Sequence, residues 1–132
     1  MAQGSSWIAI VDDDPSVLKS LSRALRIRAY ETRTFASARE FLASLPRGSP
    51  ACLILDVQMP GMTGLELHHQ MVEAGFHIPT IVITAHSDVK VRETSETTDV
   101  VAVLSKPLRN ATLFDAVAIA LGSTKARGGG QS

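Results

Sequence analysis

An α/β fold is predicted: a doubly wound, five-stranded parallel sheet with helices on both faces. Three observations on the 132-residue sequence predict it. Short apolar or β-branched segments alternate with segments of helical periodicity. The strand segments are mostly near-continuous in apolar character, as strands covered on both faces are. Two of them, WIAIV and CLIL, run straight into carboxylates, Asp12-Asp13-Asp14 and Asp56. Ligands of open parallel sheets sit beyond the carboxyl ends of the strands, so these acids fall where a site is expected.

Residues 7–11 form the first strand. Pro15 suits the first turn of a helix, and Val17, Leu18, Leu21, Leu25 and Ile27 follow at helical spacing. Residues 30–35 alternate and are rich in Thr and aromatics, which reads as a second, weaker strand. Ser37-Ala38-Arg39-Glu40 is a capping-box pattern, opening a short helix with Phe41, Leu42 and Leu45. Residues 46–50 are a loop, and 52–55 the third strand. Met59-Pro60-Gly61-Met62 turns. Thr63-Gly64-Leu65-Glu66 caps a helix carrying Leu65, Leu67 and Met71, which Gly75 stops. Residues 79–84 and 100–104 are the fourth and fifth strands. Asn110 caps a last helix with Leu113, Phe114, Val117 and Leu121, ended by Gly122. Residues 1–5 are predicted to be disordered, and 123–132, with three consecutive glycines, to be a flexible tail or linker.

Length allows one domain, large enough to bury about 65–70% of its unfolded-chain surface. Thirteen basic and thirteen acidic residues cancel, so global charge points to neither nucleic acid nor membrane. The single Cys52 cannot pair internally and sits in an apolar run, as a core residue does. No apolar stretch is long enough to span a bilayer, and no signal segment is visible. A reducing cytoplasm is the expected compartment.

The strand ends carry Asp12-Asp13-Asp14, Asp56, Thr84 and Ser105-Lys106. Acids alone would suggest a Mg²⁺-type site. Lys106 beside them could be a structural ion pair. Yet a divalent cation, a hydroxyl and an ammonium around one carboxylate also make a phosphoryl-transfer site. Asp14, preceding Pro15, reads as helix N-terminal charge. Thr84 could serve simply as a β-branched strand residue, and His86 as a solvated loop residue. His68, His69 and His77 lack partners at metal-ligand spacing and read as surface or core residues. Met59 and Met62 read as packing residues.

Four segments then carry a resemblance: Ile10-Val11-Asp12-Asp13-Asp14-Pro15, Asp56-Val57-Gln58-Met59-Pro60-Gly61-Met62-Thr63-Gly64, Ile83-Thr84-Ala85-His86 and Leu104-Ser105-Lys106-Pro107. In this order, each at a strand end, they resemble the receiver domains of two-component response regulators, most closely the FixJ-type group of the CheY-like superfamily. The resemblance covers about residues 6–121 and sets the domain at 6–122. It implies a flavodoxin-like sheet of strand order 2-1-3-4-5. It further implies Asp56 as phosphoacceptor, taking a phosphoryl group from a histidine kinase or histidine phosphotransfer protein in a Mg²⁺- or Mn²⁺-dependent reaction that the domain itself catalyses, as it does the hydrolysis. Asp13, Asp56 and the backbone carbonyl of Gln58 would ligate the metal, with Asp12 reaching it through water. Thr84 and Lys106 would bind phosphoryl oxygens, and small Ala85 would leave access. Gln58 and His86 would tune hydrolysis, and Lys106-Pro107 would be cis. The output would be an attached domain or a downstream protein, or a phosphorylation-dependent homodimer.

Two departures from that family stand out. Residues 88–99, where a helix precedes the fifth strand, show no apolar stripe beyond Val89 and Val91, and Asp99 replaces the usual Gly. This helix is therefore expected to be atypical: short, displaced or mobile. The position three before Lys106 is Val103 rather than an aromatic, so the inward swing that couples Thr84 to the output face is in question. Two other readings compete. A haloacid-dehalogenase-type phosphatase would use Asp12, Asp14, Thr84 and Lys106, but it has Ser16 where a Thr or Val belongs and leaves Asp56 unexplained. A degenerate receiver could act only as a protein-binding scaffold, yet no acid or Lys of the site is missing.

Overall fold

The structure is a computed structural model, and it describes residues 6–59, 61–85 and 99–129, with side chains described through residue 122. Five parallel strands, β1 (Trp7–Val11), β2 (Glu31–Phe35), β3 (Cys52–Asp56), β4 (Thr80–Thr84) and β5 (Val100–Ser105), stand in the order β2-β1-β3-β4-β5. Helices α1 (Pro15–Ile27), α2 (Ala38–Ser44), α3 (Gly64–Glu73) and α4 (Asn110–Gly129) connect or follow them. The expected fold class and strand order are those observed.

The two-residue period of the strands separates two cores. Trp7, Ala9, Val11, Leu53 and Leu55 face α2 and α3, meeting Phe41, Leu45, Leu67 and Met71. Ile8, Ile10, Cys52, Ile54, Ile81 and Ile83 lie in the core on the other face, with Leu21 and Leu25 of α1 and Leu113 and Val117 of α4. Strands buried on both faces explain the unbroken apolar runs. A small third cluster joins Val82 and Val100 to Val57, Leu65 and Val103 beside α3.

Helix starts follow the sequence closely. Asp14 caps α1, its carboxylate accepting the Ser16 N–H at 2.9 Å. Thr63 and Glu66 form a full capping box on α3. Ser37 caps α2, but the Glu40 carboxylate reaches back to the N–H of Ala36 instead of that of Ser37, so the expected box is only half formed. Gly75, at φ +92°, follows the end of α3, and its N–H donates to the Val72 carbonyl.

Three expectations need correction. Ile27 is 77% exposed: the buried stripe of α1 runs through Leu21, Ser22 and Leu25, and Ile27 falls off it. The loop expected at 46–50 opens as a 3₁₀ turn, Leu45–Arg47, that buries Leu45. Gly122 does not end the last helix, which runs on through Gly129, where a flexible tail or linker was expected. A glycine inside a helix costs only about 1 kcal/mol relative to Ala, too little to stop one. Among the described residues, the non-glycine residue with a left-handed backbone is Ala29, at φ 70°. The expectation of an atypical helix concerns residues that, apart from Asp99, lie outside the described ones.

Candidate phosphoacceptor site

Parallel register brings the strand ends to one edge. Val11 pairs with Leu55 and Asp56 with Ile83, so Asp12, Asp56 and Thr84 follow one another along that edge. The β3–β4 ladder continues through the Val57 N–H to the Ile83 carbonyl at 3.0 Å, which fixes the backbone on both sides of Asp56. Thr84 pairs with Ser105, and the Lys106 N–H donates to the Thr84 carbonyl at 2.9 Å. The Lys106-Pro107 peptide is cis.

Asp12 and Asp56 are buried, at 3% and 4% exposure, whereas Asp13 is exposed. One carboxylate oxygen from each of the three lies within 4.8 Å of the others. The Lys106 Nζ stands 3.5 Å from Asp56 Oδ1. The Asp14 N–H donates to Asp12 Oδ1 at 2.9 Å, which aims that carboxylate.

Burial pushes the Asp12 carboxyl up to about 6, and the charges of Asp56 and Asp13 add to this against the Asp14 N–H and Lys106. Burial likewise raises Asp56, opposed by the ammonium of Lys106 and the backbone N–H of Gln58, with Asp13 raising it further. Three hard oxygen donors, two of them desolvated and mutually repelling, suit a divalent cation, whose charge would relieve both strains.

The other expected residues are placed as follows. Thr84 is buried at the end of β4, and Ala85 beyond it is exposed. The Gln58 side chain is exposed, two residues past Asp56. Val103 is half-buried against the small cluster of Val82 and Val100. His86 lies outside the described residues. Among the remaining histidines, His69 pairs with Glu73 at 3.2 Å and His77 with Asp99 at 3.1 Å, both on the surface. His68 is buried, with no partner for its Nε2 among the described residues. Met59 is buried and Met62 half-buried.

One positioning residue gains its reason only in three dimensions. Gly64 opens α3 directly against β3, its N–H donating to the Val57 carbonyl at 2.9 Å. A Cβ there would press on the Asp56 carbonyl oxygen and lie 2.9 Å from Val57 Cα. The sequence signals a helix start at this point, but not that the start abuts the acid-bearing strand.

No described helix is long and apolar enough to cross a membrane. Residues 8–118 match the response regulator receiver domain family. Among curated relatives, the response regulator protein TodT of Pseudomonas putida is 38% identical over 121 residues, 92% of this chain and 53% of TodT. The chain spans about half the length of the curated relatives it first matches. Among solved structures, the response regulator StyR superposes with a TM-score of 0.81 at 34% identity, over 94% of this chain and 63% of StyR. TrrA from Thermotoga maritima, in complex with Mg²⁺–BeF, gives 0.77 at 28%, over 88% and 99%. The cluster of Asp12, Asp13 and Asp56 fits the metal-dependent phosphoaspartate chemistry of such regulators, which is self-modification rather than turnover of a separate substrate. In sequence, strand order and the placing of its acids, this chain belongs to the response regulator receiver domain family.

Proposed function

We propose that Asp56 accepts a phosphoryl group from a phosphohistidine, on a histidine kinase or a histidine phosphotransfer protein, and that the acyl phosphate alters a partner-binding surface. The observation that carries the reading is a buried strand-end carboxylate with two further acids around it and an ammonium 3.5 Å away. An Asp56 oxygen attacks phosphorus in line. The P–N bond breaks with its electron pair going to the imidazole nitrogen, which takes a proton from solvent. Lys106 stands where it can pair with a phosphoryl oxygen, and the Thr84 hydroxyl is assigned another. Ala85 leaves the approach open. Asp13, Asp56 and the Gln58 carbonyl, with Asp12 through water, are the proposed holders of Mg²⁺ or Mn²⁺, which when bound neutralises charge on the transferring group. Gln58 and His86 are assigned the tuning of hydrolysis.

The small side chain of Val103, packed among valines, favours an output route that does not depend on an aromatic swing between Thr84 and β5. The family-level expectations are an attached output domain or downstream partner, phosphorylation-linked dimerisation, and a cytoplasmic setting in which Cys52 stays reduced.

Incubation with acetyl phosphate and Mg²⁺, followed by peptide mapping, tests the reading. A base-labile phosphoryl group on Asp56, absent from Asp56→Asn, is the expected result. Turnover that needs Asp12 but not Asp56 would favour the phosphatase, and absence of any label a scaffold.

A further inference from the structure

Zero net charge conceals an uneven distribution. From residue 48 to residue 89 the chain holds neither lysine nor arginine, whereas Glu66 and Glu73 both lie on α3. They stand about two turns apart on one face of the helix, and both are exposed. Glu66 accepts the Thr63 N–H, and Glu73 pairs with His69 at 3.2 Å. Neither meets a lysine or arginine among the described residues, where the pairs those cations make are Arg33–Glu31 and Lys106–Asp56.

Beside these acids lies a groove of about 600 Å³, lined by Gly61, Met62, Leu65, Glu66, His69 and Gln70. Its apolar walls are Met62, from the turn before α3, and Leu65, from the first turn of the helix. Both are half-buried, and each packs inward on a different cluster. Met62 rests on the core shared with α2, and Leu65 on the small cluster of Val82 and Val100. Val57, the residue after Asp56, packs on that same small cluster. One wall of the groove is thus tied to the end of the strand that carries Asp56. The other wall is a methionine, a side chain that adapts its shape to an apolar neighbour.

We propose that this groove docks an amphipathic helix of a separate, downstream protein, which inserts an apolar side chain between Met62 and Leu65 and sets lysines or arginines against Glu66 and Glu73. The proposal deepens the function above by giving its partner a chemistry, and its regulation rests on the phosphoacceptor reading. Two acids without a cation attract a basic face and reject an acidic one, while the apolar walls supply contact that salt does not screen. A helix meets such a groove through apolar anchors one turn apart. A phosphoryl group on Asp56 adds negative charge, and its strain reaches Leu65 through the cluster that Val57 shares, so phosphorylation tightens the docking.

Two arms separate the docking from the reading beneath it. The probes are fluorescein-labelled synthetic helical peptides with leucine anchors one turn apart, in a lysine-rich and a glutamate-rich set. In the first arm, fluorescence polarisation with the unphosphorylated protein measures docking alone. Wild type should bind the lysine-rich set about tenfold more tightly, the gap closing as salt rises. Glu66→Gln/Glu73→Gln, which keeps a capping side chain at the start of α3, should lose that preference. Met62→Ser should weaken lysine-rich binding without changing its salt dependence. Amide shifts induced by the peptide should centre on Met62, Leu65, His69 and Gln70. Failure to bind, equal binding of the two sets, a double variant that behaves as wild type, or shifts centred elsewhere would overturn the proposal. So would self-association that Met62→Ser abolishes, without any peptide preference, which would assign the groove to a second copy of the chain. In the second arm, acetyl phosphate with Mg²⁺ should raise lysine-rich affinity about fivefold or more, with no response from Asp56→Asn. Labelling of Asp56 without that rise would overturn the regulation. Failure to label Asp56 would remove the phosphoacceptor reading and the regulation with it, whereas docking stands or falls on the first arm.

Discussion

Replacing Gly64 with Ala tests how the site is held, because the added atom meets only backbone. Its Cβ would press on the Asp56 carbonyl oxygen, 2.9 Å from Val57 Cα and 3.0 Å from the Asp56 carbonyl carbon. Carbon atoms pack comfortably at about 3.5–4.0 Å, so α3 and β3 must part by roughly 0.5–1 Å. No flexible side chain can give way instead. Gly64 does not have a positive φ, so the cost is one of space and not of backbone conformation. Overpacking of this kind costs about 1–3 kcal/mol, and the better helix propensity of Ala returns up to about 1. A net loss of about 1–2 kcal/mol is therefore expected in urea unfolding at an unchanged slope. The displaced backbone is that of Asp56 itself, and a misplacement near 1 Å can cost about a hundredfold in rate. Labelling by acetyl phosphate, measured where the variant is fully folded, should thus fall more than tenfold. A variant as stable as wild type and labelled at the same rate would show that α3 and Asp56 are not coupled in this way.

Other outcomes follow from the same geometry. Mg²⁺ at a hundred times its dissociation constant should stabilise the protein by about 2.7 kcal/mol, and Asp13→Asn should lose most of that gain in thermal or urea melts. Burial lowers the pKa of His68, opposed by the charge of Asp99 and assisted by His69, so the unfolded chain takes up a proton there that the fold resists. Its contribution to stability should decline as pH falls below about 6.5, and His68→Leu should remove that part of the decline. A stability difference between the two proteins that stays constant from neutral pH to about pH 5.5 would refute this. Burial pushes the Cys52 thiol up to about 12, so a thiol reagent at about pH 8 should react only at the rate of unfolding. Prompt reaction in the native state would contradict the packing of β3.

The sheet and its site were legible because the signals were local and mutually consistent. Apolar runs ending in acids gave β1 and β3, and the parallel arrangement then gathered Asp12, Asp13, Asp56, Thr84 and Lys106 without further information. What was not legible depends on distance or rotation. The outward turn of Ile27 is a matter of one residue's angle around α1. The contact between His77 and Asp99 joins residues 22 apart, and only the fold brings them together. Gly122 looked like a stop because glycine so often follows a helix, but its weak cost lets α4 continue. The crowding at Gly64 needs the positions of two elements at once.

Strand β3 pairs with β1 on one side and β4 on the other, and its alternate side chains enter both cores. No partial opening can free it without breaking two ladders and two interiors together. Its amides should therefore exchange hydrogen only through global unfolding, the slowest class in the molecule. Asp56 closes that strand. A covalent group added there meets a foundation that cannot yield, so the displacement it causes must pass outward into the less securely held segments around it.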